Sequence, residues 1–155
     1  MMPRAAGEPL APAVARPGCY RRIAGLPGLT LAAEVAGWRR FSPARAFTGF
    51  TGLVPAGYSS GGKTRRGPVT TAGPEPARTR LAEAARACRF KPATGVVLRR
   101  RPHDASPQTL ARSRKAQRRL HGRYKTMTGH GKPPGVAVIA VARDLAGFAR
   151  AEMTS

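Results

Sequence analysis

Phe47-Thr48-Gly49-Phe50-Thr51-Gly52-Leu53-Val54-Pro55-Ala56-Gly57-Tyr58-Ser59-Ser60-Gly61-Gly62-Lys63-Thr64-Arg65-Arg66-Gly67-Pro68-Val69-Thr70-Thr71-Ala72-Gly73 begins apolar and ends rich in hydroxyl groups, glycine and base. Its seven glycines let the backbone bend tightly and come close to another molecule. Two adjacent serines lie at the bend, and Lys63, Arg65 and Arg66 follow them. By composition the stretch is a flexible cationic loop, suited to an anionic partner, with helices arranged around it.

The chain as a whole points the same way. Its 155 residues suit one domain with a modest core. With 28 Lys+Arg against 7 Asp+Glu, the formal net charge is +21. Such a surface repels itself and calls for a polyanion, nucleic acid first and an anionic membrane second. Cys19 and Cys88 form no CxxC pair and have no histidine at ligand spacing, so a zinc site is not expected and a reduced, cytoplasmic setting is. No run approaches the roughly 18 apolar residues that a membrane span requires. Prolines break up the N-terminus, which therefore lacks the apolar core of a signal peptide.

Outward from the central stretch, helical signals dominate. Residues 1–18 are rich in Ala and Pro without a period and read as a disordered leader. From Cys19 to Trp38 the sequence suggests a helical hairpin with its turn at Gly25-Leu26-Pro27-Gly28. A second helix then runs from about Thr30 to Ala36, with Leu31, Val35 and Trp38 on one face. Helix, Gly-x-x-Gly turn, helix is the outline of a motif that holds a DNA phosphate on backbone N–H groups. An ordinary helix–turn–helix connection fits the same residues.

Ser42-Pro43 reads as a helix start, with serine as cap and proline in the first helical position. The region 43–73 contains that helix and the serine loop. A helix over 75–89 repeats Leu81, Ala85 and Cys88 at helical spacing. Ser106-Pro107 opens a long helix over 107–127, with a stripe of Leu110, Gln117, Leu120, Tyr124 and Met127. Arg114, Lys115, Arg118, Arg119 and Arg123 lie around the stripe, and so basic a helix is expected along a phosphate backbone or a partner helix. Residues 134–153 read as a last helix, because Val138, Val141, Leu145 and Phe148 keep one face past Asp144, although Val136 to Val141 alone would also fit a strand. The fold class is thus mainly α: a small helical domain over 19–153 around a Gly/Ser-rich loop, with a helical hairpin near the N-terminus and a long basic helix.

Gly57-Tyr-Ser-Ser-Gly-Gly62-Lys63-Thr64 satisfies the phosphate-loop pattern G-x-x-x-x-G-K-[ST]. That loop works between a buried strand and a helix. Here Pro55 precedes it and Gly67-Pro68 follows, a poor end for a central strand and a poor start for a helix. A nucleotide-binding protein is the remote alternative.

Longer patterns carry a resemblance. Ile23-Ala-Gly-Leu-Pro-Gly28, Phe50-Thr-Gly-Leu-Val-Pro55, Ser59-Ser-Gly-Gly-Lys63, Thr70-Thr-Ala-Gly73, Arg78 and Leu81-Ala-Glu-Ala-Ala85 follow one another in order. Lys115-Ala-Gln-Arg-Arg-Leu-His-Gly-Arg-Tyr124, Gly131-Lys-Pro and Val138-Ile-Ala-Val-Ala-Arg-Asp-Leu-Ala-Gly-Phe148 continue the series. From about Cys19 to Met153 the chain resembles the C-terminal domain of the DEDD, serine-nucleophile transposases of bacterial insertion sequences (the "IS one-ten" family).

That resemblance implies DNA transposition guided by a structured RNA, a bacterial, nucleoid-associated protein, and a homo-oligomer among its partners. It makes Ser60, the serine immediately before Gly61, the nucleophile that forms a covalent phosphoserine link, with Ser59 as runner-up. Lys63, Arg65, Arg66 and Arg78 would then meet phosphate, together with Gly25 and Gly28 of the hairpin. In the family an RNase-H-like N-terminal domain supplies the acids that bind magnesium. The seven acids here are scattered, so the expectation is a truncated copy with no metal site or cofactor of its own, inactive alone. The chain departs from the family pattern in three ways: Thr71 stands where a lysine is usual, the next helix opens with Pro74-Glu75-Pro76 instead of asparagine, and of its usual pair of arginines only Arg78 remains, before Thr79. The alternative from another class is a non-catalytic nucleic-acid-binding module whose serines are turn residues.

Overall fold

The computed structural model describes residues 26–35, 37–60, 63–92 and 106–155, with the backbone alone at 26, 27, 29, 58–60 and 63–66. The 1–18 leader and the first half of the expected helical hairpin lie outside the described residues. The described chain is mostly helical. Helix α1 spans Leu26–Glu34, a 3-10 turn spans Trp38–Arg40, and α2 spans Ala44–Phe50. Strands β1 (Pro55–Ser60) and β2 (Lys63–Val69) follow. Next come α3 (Glu75–Arg86), a 3-10 turn (Ala87–Arg89), α4 (Pro107–Gly129) and α5 (Pro134–Thr154).

Helix α5 is the centre of the packing. It lies against α2, α3, α4 and the Trp38–Arg40 turn. Its sequence explains how one helix can serve so many neighbours. Ala137, Ala140, Ala142, Ala146 and Ala149 are all buried, and so are Val141 and Leu145. Small side chains on several faces let surrounding helices approach closely. Around this rod, Leu31, Val35, Phe47, Leu53, Leu81 and Leu120 are each at most 1% exposed. Full burial of such a side chain stabilises by roughly 1.5–3 kcal/mol. Trp38, Phe41, Phe47 and Phe50 form an aromatic corner, with ring centroids 4.9–6.4 Å apart along their contacts.

Three readings of the sequence change here. The Gly/Ser-rich loop is a β-hairpin: β1 and β2 pair antiparallel, with Tyr58 opposite Arg65, Ser59 opposite Thr64 and Ser60 opposite Lys63. The phosphate-loop reading fails with it, because strands stand on both sides of Gly61-Gly62 and Val136–Asp144 is helical. The Gly25–Gly28 turn is also revised. Leu26, Pro27 and Gly28 form the first turn of α1, where proline costs no needed N–H, and Gly28 is buried there. Gly25 lies outside the described residues.

The two Ser-Pro pairs behave differently. At Ser106-Pro107 the serine Oγ accepts from the Thr109 N–H at 3.2 Å, and proline occupies the first turn of α4. At Ser42-Pro43, Pro43 itself is the N-cap in an extended conformation, and no side chain caps α2. Ser42 is thereby one residue too far out to reach the unpaired amides of the first turn.

The buried seam of α4 consists of Thr109, Ser113, Ala116 and Leu120. It replaces the expected stripe, of which only Leu120 is fully buried, while Leu110, Gln117, Tyr124 and Met127 are half-buried. Small residues face α5 at spacings of four, three and four, so the two helices pack closely.

Candidate functional site

The serine hairpin is rooted in the helical core by a collar of backbone contacts. At its base the Thr70 N–H donates to the Val54 carbonyl at 3.0 Å and the Thr71 N–H to the Gly52 carbonyl at 3.3 Å. Gly52 and Gly73 adopt φ of +69° and +110°, a left-handed region that glycine tolerates and other residues rarely adopt. Neither has room for a side chain. A Cβ on Gly52 would overlap the Ala72 carbonyl oxygen, and one on Gly73 the Phe50 carbonyl oxygen. Thr71, two residues before Gly73, also has a positive φ of +50°.

Two arginines complete the collar. Arg78 Nη1 of α3 donates to the Thr71 carbonyl at 2.9 Å and reaches the Gly73 carbonyl at 3.5 Å. Arg143 Nε of α5 donates to the Leu53 carbonyl at 3.2 Å. Arg78, expected on phosphate, thus also staples the segment that leaves β2. Gly52, Gly73 and Arg143 were missed by the sequence reading. The glycines had a visible signal, since they bracket the hairpin almost symmetrically; Arg143 had none.

Register fixes the relation of the two serines. Successive strand positions alternate between faces, so positions 59 and 60 belong to opposite faces of the ribbon. Position 60 shares its face with positions 58, 63 and 65, and position 59 shares its own with Gly57, Thr64 and Arg66. From its base the ribbon projects about 17 Å, at the usual rise per strand residue.

The basic helix divides into two groups. Arg114, Lys115, Arg118 and Lys125 are exposed on the side away from the buried seam, with Ala111 ahead of them and Gly122 between Arg118 and Lys125 on that side. Three other cations turn along the flank toward α5. Arg112 forms a bidentate pair with Glu152, both N···O distances being 2.9 Å. The Arg119 guanidinium lies 5.8 Å from the centre of the Phe148 ring. Arg123 pairs with Asp144 at 3.2 Å. Partners at 152, 148 and 144 descend as 112, 119 and 123 ascend, so the ladder fastens two antiparallel helices. Arg119 and Arg123, expected on nucleic acid, therefore also serve the interhelix contact.

Glu152 is the most enclosed polar group of this ladder, with 2% of its side chain exposed. Besides Arg112 it accepts a 2.7 Å hydrogen bond from the Thr109 hydroxyl, which in turn accepts from Ser106 Oγ at 3.1 Å. The capping residue of α4 and the end of α5 thus belong to one network. Among the described residues no three His, Cys, Asp or Glu side chains converge as a metal site would require.

Residues 21–95 match the family model described as the IS116/IS110/IS902 transposase family. That segment belongs to this transposase family. It runs from ahead of α1 through the hairpin and α3, and takes in Gly52, Gly73 and Arg78 of the collar but not Arg143. Over 120 residues, the chain is 39% identical to a Sinorhizobium fredii protein that bears a transposase name, y4qE. The alignment takes in 77% of this chain and 31% of the relative, so the chain spans about a third of the length of the relative it matches. No solved structure matches the chain. Among the described residues no helix is long and apolar enough to cross a membrane.

Proposed function

We propose that the chain acts in DNA transposition as the serine-bearing segment of an IS116/IS110/IS902-type transposase, inside the bacterial cell and on nucleoid DNA, with Ser60 as its nucleophile. The observation that carries this reading is the placement of the two serines, within the family-matched segment, at the end of a ribbon whose base is locked by Gly52, Gly73 and two arginines. A nucleophile must be held in a fixed geometry for attack, and the collar fixes the base of the ribbon that carries Ser60. Ser60 is preferred to Ser59 because it stands directly opposite Lys63 in the register, whereas Ser59 stands opposite Thr64, and a lysine charge suits the phosphate under attack.

In the proposed step the Ser60 oxygen forms a bond to phosphorus, and the bond from phosphorus to the leaving sugar oxygen breaks. The serine proton is lost and the leaving oxygen gains one, so a single proton moves from nucleophile to leaving group overall. Serine needs a base or metal for this. The described acids do not cluster, so these residues do not fit a magnesium site, and no step here runs through one. Magnesium, a guide RNA and a second copy of the chain are partners that the family resemblance suggests. The exposed Arg114, Lys115 and Arg118 would hold the nucleic-acid backbone.

Covalent capture tests this reading. The chain is joined to the acid-bearing domain of a longer family member, then incubated with magnesium, guide RNA and target DNA. Protein–DNA adducts that vanish in Ser60→Ala and persist in Ser59→Ala are the expected result. Salt-sensitive binding with no adduct would leave the non-catalytic nucleic-acid-binding module in its place.

A further inference from the structure

Arg40 closes the Trp38–Arg40 turn, where its guanidinium lies 4.6 Å from the centre of the Phe41 ring and 5.2 Å from that of Phe50. The residue is exposed although both rings hold it. Arg39 and Arg45 next to it in sequence are exposed as well. The ion pairs seen among the described residues join other arginines to Glu83, Glu152 and Asp144, and none reaches this turn. Phe50 is also the residue whose carbonyl oxygen sits against Gly73 at the root of the serine ribbon. A guanidinium braced by two aromatic rings therefore stands at the foot of the hairpin.

From this geometry we infer that Arg40 is a binding site for a backbone phosphate of the nucleic acid, flanking the one presented to the hairpin end. Stacking on a ring face leaves the edge of the guanidinium, with its fork of N–H donors, pointing away from the rings. That fork matches two phosphate oxygens. The two rings already restrict the side chain, so less freedom is lost on binding than for a solvated arginine. The ribbon is about 17 Å long, which places Arg40 roughly a strand length from Ser60. It thus holds the strand beside the reacting phosphate rather than that phosphate itself. This inference rests on nucleic acid being the partner.

The test compares the full chain with Arg40→Gln and Arg40→Lys, titrating mixed-sequence duplex DNA, single-stranded DNA and structured RNA across a salt series. Loss of one phosphate contact lowers the slope of log Kd against log salt by about one and weakens low-salt binding on the order of tenfold. Arg40→Gln should show both changes, on whichever nucleic acid the chain prefers. Arg40→Lys should keep the slope and lose part of the affinity, because an ammonium does not stack as a plane. Thermal melting follows each variant. A lower melting temperature in Arg40→Gln with affinity and slope unchanged would reduce Arg40 to a brace for the aromatic corner and overturn the inference. A wild-type chain that bound none of the three in a salt-dependent way would overturn the nucleic-acid reading and the inference together.

Discussion

Replacing Gly73 by alanine should uncouple the serine ribbon from the helical core. Gly73 has φ of +110°, and a Cβ there would lie well inside the 3.0 Å that real Cβ atoms keep from other atoms. The obstacle is the backbone oxygen of Phe50, which cannot rotate away as a side chain could. The positive φ alone costs about 1–2 kcal/mol for a residue with a Cβ. Relief of the overlap must move Gly73 away from Phe50. That separation strains the 3.3 Å bond from Thr71 N–H to Gly52 and the 2.9 Å bond from Arg78 to Thr71, at about 1 kcal/mol each. The sum is about 3–4 kcal/mol, a large share of the 5–15 kcal/mol that holds a typical domain together. Urea unfolding should show this as a lower midpoint at unchanged slope, and hydrogen exchange should show the Thr70 and Thr71 amides losing protection first. Gly57→Ala is the control, since a Cβ there meets nothing within 4 Å. A Gly73→Ala chain within about 1 kcal/mol of wild type, or a Gly57→Ala chain equally damaged, would refute the collar argument.

Other changes test the remaining parts of the structure. Glu152→Ala strands the Thr109 hydroxyl and releases Arg112; part of the ion pair is solvent-exposed, so the expected loss in urea unfolding is about 2–3 kcal/mol. Gly122→Ala places a methyl group in open space on the exposed side of α4, and should raise stability by about 0.5–1 kcal/mol, seen as a higher melting temperature. Arg114→Glu with Arg118→Glu should abolish most nucleic-acid affinity and flatten its salt dependence while leaving the melting temperature within a few degrees, because neither residue belongs to the α4–α5 ladder. Equal affinity losses from Arg112→Ala would show that the division of α4 into two groups is mistaken.

Helices were legible in this sequence where local chemistry alone decides them. Ser106-Pro107 caps α4 because a serine hydroxyl at that position meets a free amide whatever else the protein does. The same dipeptide at Ser42-Pro43 does not, since Pro43 takes up the capping conformation. The seam of α4 was misjudged by side-chain size. Leu110, Tyr124 and Met127 look more like core than Thr109 and Ser113, yet proximity of α5 selects the smaller residues. The hairpin was the largest miss, for glycine, serine and arginine give neither apolar alternation nor strong strand propensity. Its signal was Gly61-Gly62 between two stretches of similar length, a two-residue connection of the kind hairpins use. The charge count pointed to a polyanion, but it could not separate Arg118, which faces outward, from Arg123, which pairs with Asp144.

The relation between the hairpin and the basic helix is set by α5 rather than by the chain that connects them. Arg143 and Asp144 are consecutive on that helix, and they reach in different directions. Arg143 binds the Leu53 carbonyl at the root of the ribbon, and Asp144 meets Arg123 of α4. Neither polar contact is strong by itself: Arg123 is 44% exposed, and a pair of that kind contributes at most about 1 kcal/mol. Their alignment depends on the apolar packing beneath them, where Val141 and Leu145 share one buried cluster with Phe47, Leu53 and Leu120. Such close-packed interiors deform little under load. Phosphates held by the outward face of α4 would therefore be fixed relative to the base of the serine ribbon. Under the proposed function, a nucleic acid seated on that helix would meet Ser60 on a ribbon whose base is already fixed, so less ordering would remain for the attack. The buried alanines of α5 contribute by letting the surrounding helices approach it closely, while the larger side chains of the cluster fill the space between them.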